Sequence, residues 1–98
     1  MARIELAPKI ALDFERILGH LQSFGVAEAT ARIQGIIAAI DVLARSPMIG
    51  RPATGKLREL VIGRGVRGYV ALYHYDELLD VAFVLAIRHQ REAGFSGR

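Results

Sequence analysis

The chain has 98 residues, 52% of them hydrophobic and 23% charged, with 13 basic and 10 acidic side chains for a net charge of +3 and no cysteine. That length holds one domain, 1–98, and the apolar content excludes intrinsic disorder as the main state. The missing thiols exclude a disulfide framework, a thiolate metal site and a cysteine nucleophile.

Residues 2–6, Ala-Arg-Ile-Glu-Leu, alternate apolar and polar and predict a short strand. Pro8 follows, where the first turn of a helix tolerates a missing N–H. Ile10, Phe14, Ile17, Leu18 and Leu21 then fall on one stripe, which predicts a helix over 8–24. Gly25 supplies the left-handed residue that closes it. A second helix is predicted over 26–45, with Ile33, Ile36, Ile37, Ile40 and Leu43 on one side and its end before Pro47. So short a link makes the two helices antiparallel. Ser46 to Gly55, with two prolines and two glycines, reads as a loop.

The periodicity then changes to two. Leu57 to Ile62 predicts a strand, Gly63-Arg64-Gly65 a turn, Tyr69 to Tyr75 a second strand, Asp76-Glu77 a turn, and Val81 to Ile87 a third strand. This last run is apolar throughout, which predicts a central strand covered on both faces. The expected fold is α+β. A short N-terminal strand and an antiparallel helical hairpin are packed on an antiparallel sheet whose three-stranded region spans 57–87, and 88–98 form a polar tail. The run from Val81 to Ile87 is also the longest unbroken apolar stretch, far short of the roughly 20 residues that a bilayer crossing needs. The opening segment, MARIELAPKI, interrupts its apolar residues with Arg3, Glu5 and Lys9 and has no signal-peptide core, so the expected location is the cytoplasm and no membrane is involved.

The charge is unevenly placed. Residues 1–45 hold five basic and five acidic groups, whereas Arg51, Lys56, Arg58, Arg64 and Arg67 face only Glu59 between positions 51 and 67. This basic stretch is either a solvated face or a surface that attracts an anionic partner. The histidines, His20, His74 and His89, are scattered and lack the spacing of a zinc helix, so neither a metal nor a cofactor is expected. Gly63 to Gly68 lacks the Lys-Ser/Thr ending and the following helix of a phosphate loop, and reads as a turn. More informative is Arg88-His89-Gln90-Arg91-Glu92, directly after the apolar strand. An imidazole flanked by guanidiniums can handle a phosphate, with Arg58, Arg64 and Arg67 arriving from neighbouring strands. Metal-free RNA cleavage is one chemical reading, the guanidiniums stabilising a pentacoordinate phosphate and His89 acting as acid or base. The other is that Arg88 and Arg91 cap the sheet edge or pair with Glu92.

Ser46-Pro47-Met48-Ile49-Gly50-Arg51-Pro52, then Leu57-Arg58-Glu59-Leu60, then Arg67-Gly68-Tyr69-Val70-Ala71-Leu72-Tyr73, and last Leu85-Ala86-Ile87-Arg88-His89-Gln90-Arg91-Glu92-Ala93 together resemble the RelE/ParE superfamily of toxins from bacterial type II toxin–antitoxin pairs. The resemblance covers almost the whole chain and implies a toxin held inactive, in a hetero-oligomer, by a separately encoded antitoxin. RelE-like members are ribosome-dependent ribonucleases that cut messenger RNA; ParE-like members act on DNA gyrase. Ribonuclease members typically carry an arginine where this chain has Val70, and many use a tyrosine where it has Phe95. Those departures favour the ParE-like branch and no catalysis, with gyrase trapped on cut DNA, a role associated with plasmid stabilisation. The target contact is then expected at Arg58, Arg64, Arg67, Arg88, His89 and Arg91. Under the ribonuclease alternative, with ribosome and messenger RNA as partners, Arg58, Arg67, Arg88, His89 and Arg91 are the catalytic set. A third alternative is a non-toxic binding module that keeps the fold. The apolar surplus predicts exposed apolar surface beside an arginine-rich edge, suited to an antitoxin segment that folds as it binds.

Overall fold

Gly25 ends the first helix at the position its sequence marks. Its φ is +70°, its N–H donates to the Gln22 carbonyl at 3.0 Å, and the Val26 N–H donates to the Leu21 carbonyl at 3.1 Å. These two bonds form a Schellman close, which needs a left-handed residue. A computed structural model describes residues 1–65 and 68–92. The elements are β1 (Arg3–Leu6), α1 (Lys9–Ser23), α2 (Ala29–Ile40) with a 3-10 turn at Asp41–Ala44, β2 (Arg51–Pro52), β3 (Leu57–Ile62), β4 (Tyr69–Asp76) and β5 (Val81–His89). The expected second helix is thus divided: 26–28 form a turn before it, and its last residues tighten into the 3-10 turn.

The five strands lie in one sheet in the order β1-β5-β4-β3-β2. Four expectations need correction here. The sheet is not wholly antiparallel, because β1 pairs in parallel with β5, Ile4 opposite Ala82 and Leu6 opposite Val84. The helical hairpin carries the chain away after β1, so that strand pairs only when β5 arrives at the other end of the sequence. The segment read as a loop contains β2, which adds two residues to the edge of β3, Arg51 opposite Glu59. The centre of the sheet is β4, with β5 beside it between β1 and β4; β5 also runs on to His89, so Arg88 and His89 belong to a strand and not to a tail.

The unbroken apolar run Val81 to Ile87 within β5 has two causes. Its helix-side residues, Ala82, Val84 and Ile87, join Tyr69, Ala71 and Tyr73 of β4 and Ile10, Ile17, Leu21, Ile36 and Ile40 of the helices in one buried cluster. On the opposite face Val81 and Ala86 are buried as well. A bulge supplies the rest: Leu72 faces Ala86 and Tyr73 faces Val84, which leaves Leu85 without a partner on β4. Among the described residues no helix is long and apolar enough to cross a membrane.

Candidate functional site

One end of the sheet gathers most of the residues singled out in the sequence. Ile62 at the end of β3, Tyr69 at the start of β4 and His89 at the end of β5 stand in one row. On the other side of β5 the strand ladder is incomplete, since β1 stops at Leu6 and the last bond of that edge runs from the Ala7 N–H to the Val84 carbonyl. Backbone groups left open on a strand must find other partners. Helix α1 supplies them: the Asp13 carboxylate accepts the Ile87 N–H at 2.9 Å, and the Arg16 guanidinium donates to the Ile87 carbonyl at 3.1 Å. Glu92, curling back after the strand, accepts the His89 N–H at 3.0 Å.

These contacts join a charge network. Asp13 is 1% exposed and accepts hydrogen bonds from Lys9 at 2.8 and 2.9 Å and from Arg16 at 2.7 Å. Arg16 also reaches the Glu92 carboxylate at 3.3 Å. Burial alone would push the Asp13 carboxyl up, but the Lys9 ammonium, the Ile87 N–H and Arg16 outweigh it and hold the group below the ordinary aspartate value. Arg16 is likewise opposed by burial, and Asp13 and Glu92 raise it above the usual guanidinium range. The Arg88 guanidinium closes the hook after β5 by donating to the carbonyls of His89, Gln90 and Glu92 at 3.1, 3.1 and 3.2 Å. The Gln90 side chain donates to the Gly63 carbonyl at 3.1 Å, tying the hook to the β3–β4 turn that carries Arg64.

Between this hook, the end of α1 and the start of α2 lies an open cleft of about 610 Å³. Its floor is apolar, formed by Ile17, Leu21, Val26 and the Tyr69 ring, with the exposed Phe24 on its wall. Its rim carries the guanidiniums of Arg16, Arg32 and Arg91 and the imidazoles of His20 and His89, with Glu92 the acidic group among the described lining residues. His20 stacks obliquely on Phe24, centroids 4.9 Å apart, and Tyr69 meets His89 edge-on at 5.2 Å. The Arg91 N–H donates to His89 Nδ1 at 3.1 Å, which fixes how the imidazole is presented. Within the described residues the Tyr69 hydroxyl is buried without a partner. A smaller cleft of about 270 Å³ between α2 and the sheet shares Arg32 and Tyr69 with it. An apolar floor under a cationic rim takes a ligand that is apolar and acidic together.

Of the expected site residues, Arg64, Arg88, His89 and Arg91 sit at this end, and Arg67 lies outside the described residues, as does Phe95. Arg58 is not with them. It stands opposite Tyr73, further along β4, and its guanidinium donates to the carbonyls of Met48 at 3.2 Å and Gly50 at 2.7 Å. Val70 faces Arg88 across the sheet and is buried. The helix residues of the rim, Arg16, His20 and Arg32, were missed by the sequence reading. A sign of Arg16 alone was present: Asp13 falls inside the apolar stripe between Ile10 and Ile17, and a carboxylate there demands cationic neighbours, which Lys9 and Arg16 supply.

A family model described as the ParE toxin of the type II toxin–antitoxin system, parDE, matches residues 4–94. Toxin RelE3 of Caulobacter vibrioides is 28% identical over 92 residues, covering 94% of this chain and 98% of that protein. Among solved structures, the chromosomal ParDE toxin–antitoxin system of P. aeruginosa aligns over 91% of this chain and 96% of its own, with a TM-score of 0.73 at 22% identity. The intact E. coli RelBE toxin–antitoxin complex aligns over 94% and 100%, with a TM-score of 0.64 at 13% identity. At such identities the structural likeness establishes the shared fold.

Proposed function

Since the chain belongs to the ParE toxin family of type II toxin–antitoxin systems, we propose that it stops bacterial growth by binding DNA gyrase and trapping it on cut DNA, and that a cognate antitoxin holds it inactive. The observation that carries the choice of target is how the arginines are used. A metal-free ribonuclease needs guanidiniums turned toward a phosphate. Here the position opposite Arg88 is the buried Val70, Arg88 itself binds three backbone carbonyls, and Arg58 binds two more. A surface suited to a partner is the cleft, with Arg91 on its rim and Arg64 on the neighbouring turn, apolar at the bottom and cationic at the edge. An antitoxin segment with leucines and carboxylates would bury the same floor and neutralise the same rim.

One observation favours the ribonuclease alternative, namely that His89 and Arg91 are held together at the cleft. The two readings separate in cells. Expression of the chain without antitoxin is expected to stop growth with double-strand breaks and intact messenger RNA. Fragmented messages with intact chromosomes, lost in His89→Ala, would overturn the gyrase reading.

A further inference from the structure

The opposite end of the molecule carries the complement of the cleft. Between β4 and β5 the chain turns at Asp76 to Val81, and the turn is pinned. The Asp76 carboxylate accepts the Leu79 N–H at 3.0 Å, the Tyr75 hydroxyl donates to Asp80 at 2.6 Å, and the Arg3 N–H donates to the Asp80 carbonyl at 2.9 Å. Asp80 takes a φ of +53°, a left-handed conformation that aspartate tolerates. So fixed a turn nevertheless offers Leu78, 98% exposed, and Leu79, 62% exposed, to water. Within the turn itself the charges are Asp76, Glu77 and Asp80, with no basic residue from 76 to 80, while Lys56 and Arg58 line the flank that Leu78 shares with Asp76 and Glu77. Leucines among carboxylates on a rigid tip have the composition that the cleft accepts.

The tip cannot enter its own cleft, because the eight residues of β4 separate them, roughly 24 Å at the rise of an extended strand. The occupant on hand is a second molecule. We propose that the cleft between α1, α2 and the end of β5 receives the Leu78–Leu79 turn of a second copy of this chain, so that free molecules associate head to tail. Such a contact is heterologous: each molecule keeps one open tip and one open cleft, and growth continues unless the rotation closes a ring. The junction is small and partly ionic, so it is weak, favoured by concentration and opposed by salt. It covers Phe24, Arg32 and Arg91 in the free protein, and a partner that needs the cleft must displace it. This inference stands on the two surfaces alone and does not depend on gyrase being the target.

Sedimentation of the full chain, purified without antitoxin, tests it. The mean mass of wild type is expected to rise with protein concentration and to fall back when salt is raised. The tip variant Leu78→Asp/Leu79→Asp and the cleft variant Phe24→Asp each change exposed side chains, and each is expected to weaken association by about tenfold or more. Mixed in equal amounts, the two variants retain one matching junction and are expected to form a one-to-one dimer that grows no further. A wild type that stays monomeric at every concentration, a tip variant that associates as wild type does, or a mixture that fails to pair would each overturn the proposal.

Discussion

Asp13 shows how one residue can set the shape of a site it does not line. Its carboxylate completes the strand edge where β1 runs out, anchors Arg16, and through Arg16 holds Glu92 and the hook that presents His89 and Arg91. Asp13→Ala leaves Lys9 and Arg16 without their partner and the Ile87 N–H without an acceptor. Removing one member of a buried ion pair costs roughly 3 to 5 kcal/mol, and because Lys9 and Arg16 are each about 30% exposed and can rehydrate, about 3 kcal/mol is expected here. Urea unfolding measures it. The pH dependence has a definite sign: the folded carboxyl titrates below its ordinary value of 3.8, so its stabilisation is complete above that value and drains away as the pH falls through the folded one. The stability gap between wild type and Asp13→Asn is therefore expected to narrow as the pH drops below 3.8. At this scale the sequence offered part of the answer. Asp13 is visibly out of place in an apolar stripe, but its tie to Glu92 passes through an Arg16–Glu92 contact spanning 76 positions, and no local pattern encodes such a pairing.

Among the elements, the segment after the 3-10 turn depends on three residues that meet behind β3. The Gly50 N–H donates to the buried Tyr73 hydroxyl at 2.8 Å, while Arg58 binds the Gly50 and Met48 carbonyls. Burial pushes the Tyr73 hydroxyl up, more than the Gly50 N–H and Arg58 pull it down, so it stays a neutral acceptor. A Cβ at Gly50 would stand 2.5 Å from the Tyr73 ring and 2.9 Å from the Glu59 carbonyl. Neither can retreat, since Tyr73 is fully buried and Glu59 is in a strand. Gly50→Ala is expected to cost about 2 kcal/mol, visible in a thermal melt as a Tm lower by roughly 8 °C or more for a domain of this size. Arg58→Ala is expected to lower Tm too, and gyrase binding per folded molecule is expected to change less than in Arg91→Ala. Periodicity located β3, β4, β5 and both helices to within a few residues. It missed β2, whose two residues are too few to show a period, and the parallel partner of β1, because β1 and β5 lie at opposite ends of the sequence.

For the whole molecule, the apolar surplus of the composition has a location. Part of it is the two-sided burial of β5, and part is exposed at Phe24 beside the cleft and at Leu78 and Leu79 on the opposite tip. A partner that covers such surface stabilises the folded state by its binding energy. The complex with the cognate antitoxin is therefore expected to melt at a higher temperature, and to stay soluble at higher concentration, than the free chain; equal behaviour would count against an antitoxin seated there. The position of the cleft was only half legible. The sequence indicated the strand end with Arg88, His89 and Arg91, whereas the facing wall, Arg16, His20, Phe24 and Arg32, exists only once the hairpin folds back onto the sheet. The target itself is read most directly with purified components: gyrase, plasmid DNA and ATP, with the chain added in increasing amounts. The expected result is a dose-dependent rise in cleaved DNA with a matching loss of supercoiling, reversed by antitoxin; undiminished supercoiling with no added cleavage, from folded protein that still arrests growth in cells, would contradict it.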